Sequence, residues 1–296
     1  MSAVPRLRLN LRRRRAGRLS APALLLAGAL LAGTTILPRD SATAQPRGGA
    51  AVPPRVAFQC PTPSRPIRFD QLLPRVAARL REGRPLTIVT MGSSSTAGAG
   101  ASSIQTTYPA RLGIELLQRY PGRVIKVINS GTNGEEVDAM LKRFQREVFA
   151  YEPDLVIWQI GTNGLLRNVE AQRFEAGVRS GIARIRSADT DVMLMDLQFV
   201  PRVEEAPGKQ AMLAHIEALA REHGIALFPR HAVMRAWAQA LGDDYAQMVS
   251  PDRLHLNDFS YHCLAAALAN AIAAAVGPPG PTAQTPATAA ATSETR

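Results

Sequence analysis

Three adjacent hydroxyls, Ser93, Ser94 and Ser95, follow Gly92 at the end of a short apolar run, Leu86 to Met91. A serine oxygen at the end of a strand can attack a carbonyl carbon. It needs a base to take its proton, a group to orient that base, and donors for the oxyanion that forms. Five histidines are available. His215 and His223 fall in an expected helix and read as solvated. His231 begins another helix as a capping or surface group, and His262 lies inside the last helix beside Cys263. His255 differs, because Asp252 precedes it by three residues in a loop, Ser250 to His255. In a turn, that spacing lets the carboxylate meet Nδ1 and leaves Nε2 free for a serine. The same pair also reads as a loop histidine held by an aspartate for stability, and spacing alone leaves both readings open.

The elements that must position these groups alternate. Phe69 to Arg81 has helical spacing, Leu86 to Met91 reads as a buried strand, and Tyr108 to Tyr120 as a helix. Strands follow at Val124–Ile128, Asp154–Ile160, Val192–Leu197 and Ile225–Phe228. Helices are expected at Glu135–Phe149, Ala171–Ser187, Lys209–His223, Arg230–Leu241 and Asp258–Ala275. Strands alternating with helices imply right-handed crossovers and a parallel sheet covered on both faces. Polar, glycine-containing loops close three of the strands: the serine loop, Asn129 to Gly134, and Gly161 to Gly164. In a parallel sheet all three lie on the carboxyl edge, where ligands of open α/β sheets bind.

Four blocks, Gly92-Ser93-Ser94-Ser95, Gly134, Gly161-Thr162-Asn163 and Asp252-Arg253-Leu254-His255, stand in the order expected of the SGNH (GDSL-type) hydrolases, which the central domain resembles. The resemblance implies Ser94 as nucleophile, His255 as base and Asp252 as its orienter. It implies an oxyanion hole from the backbone amides of Ser94 and Gly134 and the side chain of Asn163, with Gly131 as a turn glycine. It further implies a flavodoxin-like three-layer sandwich of about five parallel strands, acyl transfer through an acyl-enzyme, and no metal or organic cofactor. Two positions depart from the family pattern. Ser93 stands where an aspartate precedes the nucleophile, and Gly164 where an aspartate follows the asparagine. Neither is a triad position, although the support of the serine loop can differ.

The chain ends have other compositions. Met1 to Ala44 has a basic start, an apolar run from Ala21 to Leu37 and an Ala-Thr-Ala site at Ala42 to Ala44. This is the layout of an export signal, with the twin-arginine route left open and an uncut anchor as the alternative. Eight Arg and one Asp in that leader supply +7 of the formal +11, so the rest carries about +4, ordinary for a soluble domain. The basic pI therefore does not argue for nucleic acid. Gln45–Pro54 reads as a linker, Arg55–Val276 as one domain, and Gly277–Arg296, rich in Pro, Ala and Thr, as a disordered tail. No membrane span is expected in the mature form.

Cys60 and Cys263 are the only two cysteines. In an exported protein they are expected to pair, two separate buried thiols being the alternative. The bridge would fasten the N-terminal segment to the helix that carries the Asp252/His255 loop and limit how far that base drifts from Ser94, so that its loss is expected to lower turnover as well as stability.

Export and the resemblance together point to short acyl esters, acetyl groups on envelope or extracellular carbohydrate among them. Two other readings stand beside this one. A strand closed by hydroxyls can cradle a phosphate, which gives a flavin- or phosphate-binding module. An exported carbohydrate-binding protein could keep the fold without turnover.

Overall fold

The structure is a computed structural model that describes residues 59–62 and 73–276. The expected leader, linker and tail lie outside the described residues, as does the beginning of the helix expected from Phe69. Within the described residues that helix, α1, spans Pro74–Glu82. Pro sits in its first turn, where a missing N–H costs nothing, and Gly83 ends it with φ +69°.

Five parallel strands form one sheet: β1 Leu86–Gly92, β2 Ile125–Gly131, β3 Leu155–Gln159, β4 Asp191–Met195 and β5 Ala226–Phe228. Their order is β2-β1-β3-β4-β5, with β1 paired to both β2 and β3. β1 and β3 are central, and their apolar runs are buried on both faces. Since β1 crosses one way to β2 and the later strands return the other way, right-handed crossovers place the connecting helices on opposite faces. The β1–β2 helix is α3, Tyr108–Arg119, and it packs with the last helix, α10, Asp258–Val276. The later crossovers are α4, Val137–Glu147, α6, Ala171–Arg186, and α8, Lys209–His223, which contact one another in sequence. α9, Arg230–Leu241, follows β5.

The packing follows the apolar stripes. Trp158 on β3 is fully buried, with the Phe144 ring of α4 5.1 Å away in edge-to-face contact. α10 is apolar nearly all round because it lies in the core: Tyr261, Leu264, Leu268 and Ile272 are completely buried. Its length and mean hydropathy of 1.5 also satisfy a membrane span, the only such helix among the described residues, but a core helix passes the same test.

Three expectations are corrected. β2 does not stop at Ile128. It continues through Asn129-Ser130-Gly131, which pair with Thr90, Met91 and Gly92, so sheet pairing overrides the turn-like composition. Gly131 is therefore a strand residue as well as a glycine of close approach: a Cβ there would stand 2.1 Å from the Ala97 nitrogen. The loop expected at Gly161–Gly164 is instead the entry to a short helix, α5, Thr162–Leu166. A four-residue helix at Ser94–Ala97, α2, and another at Pro201–Glu204, α7, carry too little periodicity to be read from sequence.

Cys60 and Cys263 form a disulfide, with Cα atoms 5.3 Å apart, that joins the segment before α1 to α10.

Candidate active site

β1 runs into the sheet's carboxyl edge and turns at once into α2, so Ser94 is the first helical residue after Ser93. At that position its backbone N–H has no acceptor within the helix. The turn is held from beneath by β3. Gln159, 1% exposed, accepts the Ser93 N–H at 2.9 Å and the Ser93 hydroxyl at 3.0 Å. The Thr96 hydroxyl reaches the same oxygen at 3.3 Å and lies 3.0 Å from the Tyr108 hydroxyl. Burial pushes the Tyr108 phenol up to about 12, against the opposing bond from Thr96, so it stays protonated. Ser93, which stands where the resemblance leads one to look for an aspartate, is thus held by a neutral carboxamide.

The loop before α10 brings His255 to this serine. His255 Nε2 lies 2.8 Å from Ser94 Oγ, and Nδ1 lies 2.5 Å from Asp252 Oδ2. The other oxygen of Asp252 accepts the backbone N–H groups of Leu254 and His255, each at 2.9 Å. Partial burial would raise the Asp252 carboxyl. The bonds from His255 and Leu254 outweigh it and bring the pKa down to about 2, so the group is ionised throughout the neutral range. An ionised acceptor at Nδ1 requires a proton there, which leaves neutral Nε2 as a lone pair aimed at the serine.

The loop after β2 supplies the opposite wall. Gly134 has φ +74°, and its carbonyl accepts from Arg167, which also pairs with Glu136. Arg143 holds the Glu135 carboxylate with both Nε and Nη2 and also bonds the Ser130 carbonyl. Asn163, on α5, donates one amide hydrogen to the Glu135 carbonyl at 2.8 Å. That bond sets the orientation of the carboxamide and leaves its second N–H unspent.

The structure therefore brings Ser94, Asp252 and His255 into one line of hydrogen bonds, and ties the Asn163 side chain to the Gly134 loop. The other histidines stand apart. His231 is buried rather than superficial, with Nε2 2.7 Å from Glu204. His215 faces Glu175 at 2.6 Å instead of being merely solvated, and His262 lies 3.8 Å from Glu115. Sequence reasoning missed Gln159, Gln198 and Arg230, which support the edge from behind. For Gln159 the available signal was a polar residue inside an otherwise apolar strand, Leu155 to Ile160.

A five-stranded parallel sheet whose carboxyl edge carries this serine and histidine places the protein among the carboxylic ester hydrolases of SGNH type. It belongs to the Non-GDSL lipase-like family, whose model matches residues 59–278. An acetylxylan esterase of Geobacillus stearothermophilus is 26% identical over 184 residues, covering 57% of this chain and 82% of that protein. Among solved structures, a two-domain esterase active on acetylated mannans is similar at TM-score 0.57 and 20% identity, over 68% of this chain. The match spans only 52% of that longer protein. A lipase/acylhydrolase from Enterococcus faecalis is similar at TM-score 0.54 and 22% identity, over 62% of this chain and 93% of its own. At these identities what is shared with the solved structures is the fold.

Proposed function

We propose that the protein removes short acyl groups, acetyl above all, from carbohydrate through an acyl-enzyme on Ser94. The observation that carries this reading is the continuous line from Asp252 through His255 to Ser94, with contacts of 2.5 and 2.8 Å. His255 Nε2 takes the Ser94 proton as Oγ bonds to the ester carbonyl carbon. The carbonyl oxygen becomes an oxyanion facing the N–H groups of Ser94, Gly134 and Asn163. As the tetrahedral centre collapses, the C–O bond to the sugar breaks and His255 returns the proton to the departing alkoxide. Water, deprotonated by the same histidine, then attacks the acyl-serine and releases the acid and free Ser94.

The substrate class rests on the relatives' described activities toward acetylated xylan and acetylated mannan, combined with a site built at an open sheet edge. The Cys60–Cys263 disulfide fits a protein that works in an oxidising compartment outside the cytosol. The test is acetate release from acetylated xylo- and manno-oligosaccharides, alongside a chain-length series of p-nitrophenyl esters. Acetyl and propionyl esters should be preferred, and Ser94→Ala should lose turnover while Ser95→Ala keeps it. Covalent labelling by a fluorophosphonate at a serine other than Ser94 would overturn the assignment.

A further inference from the structure

Behind the edge, one buried carboxamide bonds to both Thr162 and Leu254. Gln198 follows β4 and is 1% exposed. Its Oε1 accepts the Thr162 hydroxyl at 2.8 Å, and its Nε2 reaches the Leu254 carbonyl at 3.3 Å. Thr162 is the residue before Asn163, and Leu254 is the residue before His255. A single side chain thus joins the immediate backbone neighbours of the proposed oxyanion donor and the proposed base, which come from loops 92 positions apart (254 − 162).

The orientation of that carboxamide is dictated by Arg230, which is completely buried at the start of α9. Its Nη2 donates to Gln198 Oε1 at 2.7 Å and its Nε to the Asp196 carbonyl at 3.0 Å. A guanidinium can only donate, so the carboxamide oxygen must face it and the amide hydrogens must face Leu254. Donation from a cation to Oε1 also polarises the amide and strengthens the bond it gives to the base loop. The arrangement is costly, since Arg230 Nη1 is buried with no partner among the described residues. A buried cation of this kind is weak evidence for stability, and its bonds to Gln198 and the Asp196 carbonyl fix the geometry around it.

We infer that Gln198, fixed by Arg230, is a positioning residue that holds the Asn163 and His255 loops at one separation, so that proton transfer and oxyanion capture are aligned together. The inference rests on the esterase reading above. Misplacement of about 1 Å in such a site costs on the order of 10²-fold in rate.

The test uses Thr162→Val, Gln198→Met and the double variant, each checked for folding by thermal melting. The readouts are the rate of Ser94 labelling by a fluorophosphonate and the kinetics of p-nitrophenyl acetate hydrolysis. Each single variant should slow labelling and kcat by about 10- to 10²-fold with KM changed less than about twofold. The double variant should be no slower than Gln198→Met, because both deletions act through one carboxamide. Should Gln198→Met fail to fold, Thr162→Val decides alone, since it removes one hydroxyl and leaves the Arg230 bond intact. Folded variants with wild-type labelling rates, even if they melt lower, would overturn the positioning role and leave the esterase reading standing. Wild-type protein that is not labelled at Ser94 would overturn both.

Discussion

Gly100 lies so close to Leu256 that a Cβ on it would stand 2.2 Å from the Leu256 carbonyl oxygen and 3.1 Å from the Cβ of His255. The segment after α2 is therefore wedged directly against the loop that carries the proposed base. Other contacts extend the seam: Tyr261 donates to the Ala99 carbonyl at 2.7 Å, and the Ser102 N–H reaches Asp258 at 2.7 Å. Ser94 and His255 are far apart in sequence, and along this seam the segments that carry them pack together.

Gly100→Ala should therefore act on catalysis more than on substrate affinity. Its φ of +88° disfavours any side chain, and the Leu256 carbonyl cannot move without moving His255. The expected outcome is a kcat loss of tenfold or more together with a lower melting temperature, read from steady-state kinetics and a thermal scan. Wild-type kcat would show that the base loop tolerates displacement at Leu256.

Asn163→Ala removes the proposed side-chain donor and also its bond to the Glu135 carbonyl. A kcat loss of roughly 10²–10³-fold is expected, with KM changed by a few-fold at most. Progress curves on acetyl esters measure it. If kcat persists, the asparagine serves only to fasten the Gly134 loop.

The sequence was most informative where polar punctuation interrupts an apolar run. Gly92 with its serines and Gly161 with Asn163 marked strand ends, and parallel topology then put both at one edge. The pairing of Asp252 with His255 was legible because a three-residue spacing in a turn is a local relation, while its role rested on the order of the four blocks. What was not legible depended on partners distant in the chain. Asn129 to Gly131 look like a turn until β1 is laid beside them. Gln159 and Gln198 carry no periodic signal, and their meaning comes from Ser93, Thr162 and Leu254, which only the folded chain brings near. His231 looked superficial because a helix start is usually exposed, whereas α7 covers it with Glu204.

Cys60→Ser should lower stability and, against the expectation from sequence, leave turnover at 25 °C nearly unchanged. The bridge closes a separation of 203 residues, for which chain entropy alone gives a stabilisation of about 5 kcal/mol as an upper figure. The base loop has independent anchors: the Ser250 N–H bonds the His255 carbonyl at 2.8 Å, and Asn257 accepts from the Ser260 N–H at 3.1 Å. Urea unfolding of the variant, or of protein treated with a reductant, should show a lower midpoint. A parallel collapse of kcat well below the melting range would mean that the bridge also holds His255 in place.

Asp196 gives the stability a pH dependence of its own. Burial raises its carboxyl to about 7, while the His231 N–H at 2.9 Å and the Arg230 charge pull the other way. Unfolded, an aspartate titrates near ~3.9. Between about pH 4 and the folded value of about 7, the native state therefore binds more protons than the unfolded chain. Unfolding free energy then falls as pH rises through that window, by on the order of a few kcal/mol at most for this one group. Asp196→Asn keeps an oxygen for the His231 N–H and does not titrate. The melting temperature of the variant minus that of the wild type should grow from pH 4 to pH 7 and level off above, because every other titrating group is common to both proteins. A difference that stays constant across the window would mean that Arg230 keeps Asp196 ionised throughout, and would remove it as a source of pH-dependent stability.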